Sequence, residues 1–360
     1  MSVPSQPTVR VRASTLADYD AIVAGIGADM EMVSRAEYLH RWGTNPFQPE
    51  SQKGNTGWMM ETGDARVVGW FGNIFSGYEF NGRPLLAAST HAVVVKEQFR
   101  KQSMGLIAQF FRQREPQLLM VTTSNELAAQ VWTAMKMVRV PNPYDQVRYW
   151  VVNPGRFIGA GLRRQGVPVA SAIGSAAGLL MRRPRVHEEL QTKLIADFDD
   201  RFDSFWARLR AKPDQLHAVR TSDALAWHYH DAGINNRRAI IVTEEGRQLI
   251  GYAILTRRDA PHIGLKRYQI ADLQVLEDQP ALVRSLVGGA LRITREHEVD
   301  VLESTGFSDF KRGVTESLGP RIRQSPSFPY LYKPNSSELA ATLQSAAAWD
   351  PCPYDGDAAF

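Results

Sequence analysis

The sequence has 360 residues, 44% hydrophobic and 22% charged, the composition of a folded chain long enough for two cores and unlike that of a disordered one. Its net charge of +4 is small for that length and does not point to nucleic acid. The single cysteine, Cys352, excludes an internal disulfide framework and a cysteine-based metal cluster, and it suits a reducing cytoplasm.

The opening segment, MSVPSQPTVRVRAS, lacks the apolar core of a signal peptide. Thr8 to Arg12 reads as an edge strand. Ser14 can cap a helix whose Leu16, Tyr19, Ile22, Val23 and Ile26 form one apolar stripe. A second helix, Ser34 to Trp42, stops before Thr44-Asn45-Pro46, because the residue before proline leaves the helical region. Gly57 to Glu61 and Ala65 to Ile74 form a hairpin around Gly63-Asp64. The strand Leu85 to Val95 follows, and its β-branched end, Ala92 to Val95, is that of a buried central strand.

Lys96 to Gly105 is then a polar loop closed by glycine, and Leu106, Ile107, Phe110 and Phe111 recur at helical spacing, so a helix starts near Gln102. A helix N-terminus reached through small residues offers unpaired N–H groups and the positive end of the dipole, a site for a pyrophosphate. Leu118 to Thr122 reads as the next strand. Ser124-Asn125 caps a helix carrying Ala128, Val131, Trp132 and Met135, a turn follows at Pro141 to Pro143, and Gln146 to Val152 supplies a final strand.

In this stretch the chain resembles the GNAT superfamily of acyl-CoA-dependent N-acyltransferases, whose phosphate loop reads Gln/Arg-x-x-Gly-x-Gly/Ala after a central strand. Here it reads Arg100-x-x-Ser103-x-Gly105, with serine for the first glycine. The resemblance implies an α/β fold with a mixed sheet and, as substrate, acetyl-CoA or another acyl-CoA, with no metal. It implies a pyrophosphate cradled by Arg100, Lys101, Gln102, Ser103, Met104 and Gly105, and a pantetheine arm along Val93, Val94 and Val95. Asn125 matches an asparagine that contacts the cofactor, and it is equally a helix cap. The family's general-acid tyrosine is replaced by Trp132, whose indole is no proton donor, and its closing Gly-Phe by Lys136-Met137.

Direct transfer needs a base to neutralise the acceptor's ammonium. His91, on the central strand just before the pantetheine region, is either that base or a histidine packed at a strand end. Glu61 is the next catalytic candidate, with Glu79 in reserve, and His228 and His230 could reach in from the second half.

Ala196 to Leu209 and Asp223 to Tyr229 are helices. Ala239 to Val242 and Gln248 to Thr256 form a hairpin, Tyr268 to Leu276 is a strand, Ala281 to His297 a helix and Asp300 to Ser304 a strand. A constant shift of 182 lays Val68-Gly69-Trp70 on Ile250-Gly251-Tyr252, Ala92–Val95 on Gln274–Glu277, Thr122-Thr123 on Ser304-Thr305 and Met137 on Gly319, which makes two tandem copies of one fold. The second loop, Leu276-Glu277-Asp278-Gln279-Pro280, has no glycine and two carboxylates, which repel pyrophosphate.

The expected units are an N-terminal GNAT domain (1–153), a linker with a helix (154–195), a degenerate GNAT-like domain (196–335) and a tail (336–360). Gln165 to Met181 is too short and too rich in glycine and serine to span a membrane. It reads as a helix packed between domains, with solvated basic ends. In the tail, Asp355-Gly356-Asp357 reads as a turn with solvated acids. The whole reads as a cytoplasmic N-acyltransferase acting on an amine of a small molecule or amino sugar, with a homodimer open to it and neither nucleic acid nor membrane span. The alternatives are a non-catalytic binder of acyl-CoA or acyl-carrier protein, and a FemAB-like aminoacyl transferase.

Overall fold

The computed structural model describes residues 8–30, 32–142, 144–168, 170–185, 188–230, 237–324 and 329–357. Pro143, in the turn expected at Pro141 to Pro143, lies outside them. The first part of the chain forms β1 (Val9–Thr15), α1 (Tyr19–Ile26), α2 (Arg35–Gly43), β2 (Asn55–Thr62), β3 (Val67–Phe80), β4 (Arg83–Val95), α3 (Met104–Phe111), β5 (Leu118–Val121), α4 (Glu126–Ala134) and β6 (Val138–Arg139). The middle forms β7 (Gln146–Val151), α5 (Pro154–Arg164), α6 (Ala170–Gly178), β8 (Thr192–Ile195), α7 (Asp200–Leu209), β9 (Leu216–Ala218) and α8 (Ser222–His228). The last part forms β10 (Arg238–Glu245), β11 (Gln248–Arg257), β12 (Arg267–Val275), α9 (Pro280–Glu296), β13 (Val301–Thr305), α10 (Asp309–Ser317), β14 (Arg321–Gln324), β15 (Leu331–Pro334) and α11 (Ser337–Thr342).

Local chemistry accounts for most of these boundaries. Ser34 accepts from the Glu37 N–H and the Glu37 carboxylate reaches back to the Ser34 N–H, a reciprocal cap that starts α2. Asn125, Asn153, Thr221 and Ser308 open α4, α5, α8 and α10 in the same way, each accepting from the N–H three residues on. Helices α5 and α6 cross at glycines: a Cβ on Gly174 would lie 2.5 Å from the Gly159 nitrogen. Among the described residues no helix is long and apolar enough to cross a membrane.

The strands form two sheets of one topology. The first runs β1-β2-β3-β4-β5-β15-β6, with β9 attached to β3, and the second runs β8-β10-β11-β12-β13-β7-β14. In each, a single parallel pair, β4 with β5 or β12 with β13, sits among antiparallel ones. The strand expected to close the first half, β7, instead pairs with β13 and β14 of the second sheet. Its counterpart β15, from the far end of the chain, fills the matching place between β5 and β6. A strand's apolar pattern is local, whereas its partner is chosen by long-range packing, so the exchange leaves no mark at the strand itself.

The repeat is real but its shift is not constant. Gly69 pairs with Val95 and Gly251 with Val275, so β3 maps on β11 with a shift of 182 and β4 on β12 with a shift of 180. Ala92–Val95 therefore correspond to Asp272–Val275, two residues earlier than the constant shift puts them, because the second copy spends two residues fewer between the strands. Lys136 and Gly319, both with φ +65°, end α4 and α10 at a shift of 183. One buried cluster joins the sheets, from Tyr78, Ala87 and Leu118 through β10–β12 and α9 to Trp349 and Tyr354.

Candidate active site

Strands β4 and β5 run side by side only from Ala87 opposite Leu118 to Ser89 opposite Met120. Beyond Ser89, β4 continues to Val95 paired with β3 alone. The divergence has a local cause. Asn73 pairs with Thr90 and Gly72 with Ala92, so His91 is the extra residue of a bulge, which bends the strand away from β5. The result is a wedge-shaped gap whose β4 side carries Val93, Val94 and Val95, and Val93 is 38% exposed. Peptide groups along such a gap can pair with an extended, amide-bearing ligand.

His91 sits at the head of the gap in a short polar chain. An Arg41 N–H lies 2.9 Å from His91 Nε2, and a guanidinium can only donate, so Nε2 accepts and the proton sits on Nδ1. Nδ1 faces the Asp357 carboxylate at 3.5 Å, longer than a formed hydrogen bond. Asp357 in turn accepts from the Thr122 hydroxyl at 2.7 Å and the Thr123 hydroxyl at 3.1 Å. Burial lowers the His91 pKa and Arg41 lowers it further, against the pull of Asp357, so the ring is neutral at pH 7. Trp42 and Trp70 meet the ring edge-on at 5.3 and 6.4 Å. The basic nitrogen of His91 is thus already engaged by Arg41, and the carboxylate beside it is Asp357, itself held by Thr122 and Thr123.

The other expected residues are dispersed. Glu61 lies on β2, held by Arg10 at 3.0 Å and Arg12 at 2.9 Å; despite its burial the two guanidiniums keep its carboxyl below the usual range, which makes it a weak base. Its polar contacts run to β1 and not to His91. Glu79 pairs with Arg210 at 3.1 Å, and His230 stacks on His40 at 4.0 Å. Asn125 caps α4 through the Ala128 N–H at 2.9 Å. Trp132 is buried against Phe71, Phe110 and Phe111, where it has a packing role.

Glu97–Gln102 form a tight 3-10 helix that runs through Ser103 into α3, and the Ser103 N–H is given to the Arg100 carbonyl. Arg100, Lys101, Met104 and Gly105 are exposed there, with Gln102 and Ser103 half-buried. A Cβ on Gly105 would meet only Val11, at 3.4 Å, so internal packing does not require the glycine.

Asp357 is the residue that sequence reasoning missed. Asp355 and Asp357 are 5% and 7% exposed, not solvated. The tail crosses the space between the sheets: Phe307 gives its N–H to Pro351, Tyr354 gives its N–H to Ala271, and Asp355 accepts from the Tyr78 hydroxyl. The signal was in the flanking residues, since Trp349, Cys352 and Tyr354 are buried and a solvated tail has no use for such side chains. Ala271 is the bulge residue of β12, matching His91. The second copy's gap is therefore filled by the chain's own tail, together with Lys311, whose ammonium donates to the Leu273 carbonyl, the Gln274 side chain and Asp350.

No protein-family model matches the sequence, and no curated protein matches it either. Solved structures do. A probable N-acyltransferase from Enterococcus faecalis superposes with a TM-score of 0.57 at 10% identity, over 91% of this chain and 72% of that one. Saccharomyces cerevisiae N-myristoyltransferase, solved with myristoyl-CoA, gives 0.54 at 10% identity, over 93% and 82%. A GCN5-related N-acetyltransferase from Kribbella flavida gives 0.53 at 10% identity, over 92% and 72%. With its two mixed sheets, each opened beside one parallel pair, the chain has the fold of the GNAT-type N-acyltransferases.

Proposed function

We propose that the chain is an acyl-CoA-dependent N-acyltransferase that passes an acyl group directly to an amine. The observation that carries this reading is the gap beside β4, which begins at the His91 bulge and ends at the Arg100–Gly105 turn. Pantetheine would lie along Val93–Val95 as an added strand, with its pyrophosphate against the exposed Arg100 and Lys101, since the 3-10 helix leaves α3 no free N-terminus. Phe71, Phe110, Phe111 and Trp132 fill the interior under α3 and α4, which favours a short acyl group such as acetyl.

In this scheme Asp357 draws the acceptor's ammonium and takes one proton from it. The freed amine attacks the thioester carbon, and the C–S bond breaks as the tetrahedral adduct collapses. The second proton, shed from the nitrogen, neutralises the departing thiolate. His91 is a positioning residue: anchored by Arg41, it turns Nδ1–H toward Asp357, whose carboxylate Thr122 and Thr123 hold in place. The acceptor is a small amine, and the second half shapes its pocket without binding CoA. The test is calorimetric titration with CoA and acetyl-CoA, followed by thiol release on adding amines. One site per chain and acceptor-dependent release support the reading; binding without release favours a sensor.

A further inference from the structure

Two cavities meet on the side of the site that faces the second sheet. The first, of about 390 Å³, has Thr122 and Thr123 on one wall, and both hydroxyls hold Asp357. Its opposite wall carries Arg267, Arg323 and Glu303, with the half-buried Arg258 between. The second, of about 730 Å³, shares Arg267, Arg323 and Glu303 and extends beneath α5, where Phe157, Ile158, Leu162 and Val301 make it largely apolar. The two are chambers of one groove that narrows at those three charged side chains.

The charges there do not balance. Glu303 is the one carboxylate shared by two guanidiniums, at 3.3 Å from Arg267 and 2.9 Å from Arg323. The Arg267 Nε–H is buried and has no partner among the described residues. A buried donor left unpaired costs free energy that an anionic ligand would recover. Behind the Thr122–Thr123 wall Asp357, held by both hydroxyls, supplies the opposite sign, so the chamber suits a molecule with an ammonium at that wall and an anion a few bonds away.

Resting on the transferase reading, we infer that the acceptor is a zwitterionic amine with an apolar substituent. Its ammonium sits at the Thr122–Thr123 wall in front of Asp357, its carboxylate or phosphate meets Arg267 and Arg323, and its apolar part lies under α5. Guanidiniums bind such anions through paired N–H groups, which a neutral amine cannot use.

The test titrates the full chain calorimetrically, with and without CoA, with L-phenylalanine, L-phenylalaninamide, 2-phenylethylamine and O-phosphoethanolamine. Arg323→Gln, which leaves Glu303 paired with Arg267, and Arg267→Gln are run alongside. The expected result is that an anionic amine, carboxylate or phosphate, binds at least about 10-fold tighter than the neutral amines. Each variant should erase that preference. Equal binding of neutral and anionic amines, no binding of any, or a preference surviving in either variant would overturn the inference. Thiol release from acetyl-CoA is read separately: no CoA binding removes the transferase reading, whereas CoA binding without anion preference removes only the acceptor assignment.

Discussion

In the proposed scheme Asp357 and His91 divide the chemistry in a way that substitutions can separate. Asp357→Asn keeps the acceptor to which Thr122 and Thr123 donate and removes the charge, so turnover should fall about 100-fold or more while CoA affinity stays within about twofold. His91→Gln can still accept from Arg41 and donate to Asp357, so it should retain more activity than His91→Ala. Equal inactivity of the two in thiol-release assays would make His91 the base. Because burial depresses the His91 pKa, the neutral ring persists below pH 6.5, and activity should be lost only as pH falls through that lowered value. His91 was legible from its place at the end of the β-branched strand. Asp357 was not, because Asp-Gly-Asp is ordinarily a turn in water, and only the sheets closing over the tail remove the water.

The tail is also where an element's stability can be read through protons. Burial pushes the Asp355 carboxyl from 3.8 to about 7. Between those values the folded chain holds a proton that the unfolded chain has lost, so stability falls as pH rises across that window. His217, on β9, is pushed by burial from 6.5 down to about 4, so the unfolded chain holds the extra proton there and stability rises with pH from about 4 to 6.5. The two slopes oppose each other in the shared window. Relative to the unaltered chain, Asp355→Asn should add a rising slope of about 1.4 kcal/mol per pH unit over that window, and His217→Gln a falling one. Urea midpoints across pH 4–7 check this, and parallel curves for all three proteins would contradict the burial of either group. Helices and strands of this kind were legible from caps and apolar periods, as at Ser34 and Asn125. The tail's burial was legible only in its aromatic residues.

At the scale of the molecule the halves are interlocked. Strand β15 completes the first sheet, β7 completes the second, and a single buried cluster spans both. Residues 1–153 expressed alone should lack β15 and Asp357, expose the edge of β5, and fail to fold. The full chain should unfold in one calorimetric transition; a folded, CoA-binding 1–153 fragment would contradict this. The two copies were legible in the sequence because glycine, strand and loop recur at nearly one spacing. The strand exchange was not, because hydrogen-bond partners more than 150 residues apart leave no local pattern. The most direct test of the central claim is calorimetric titration of the full chain with CoA and acetyl-CoA beside Ser103→Glu. A carboxylate at that position favours the start of α3, so the fold should hold, yet it repels pyrophosphate. One site per chain, lost in Ser103→Glu, is the expected result. Absence of binding at millimolar CoA, or binding unchanged by the added charge, would contradict it.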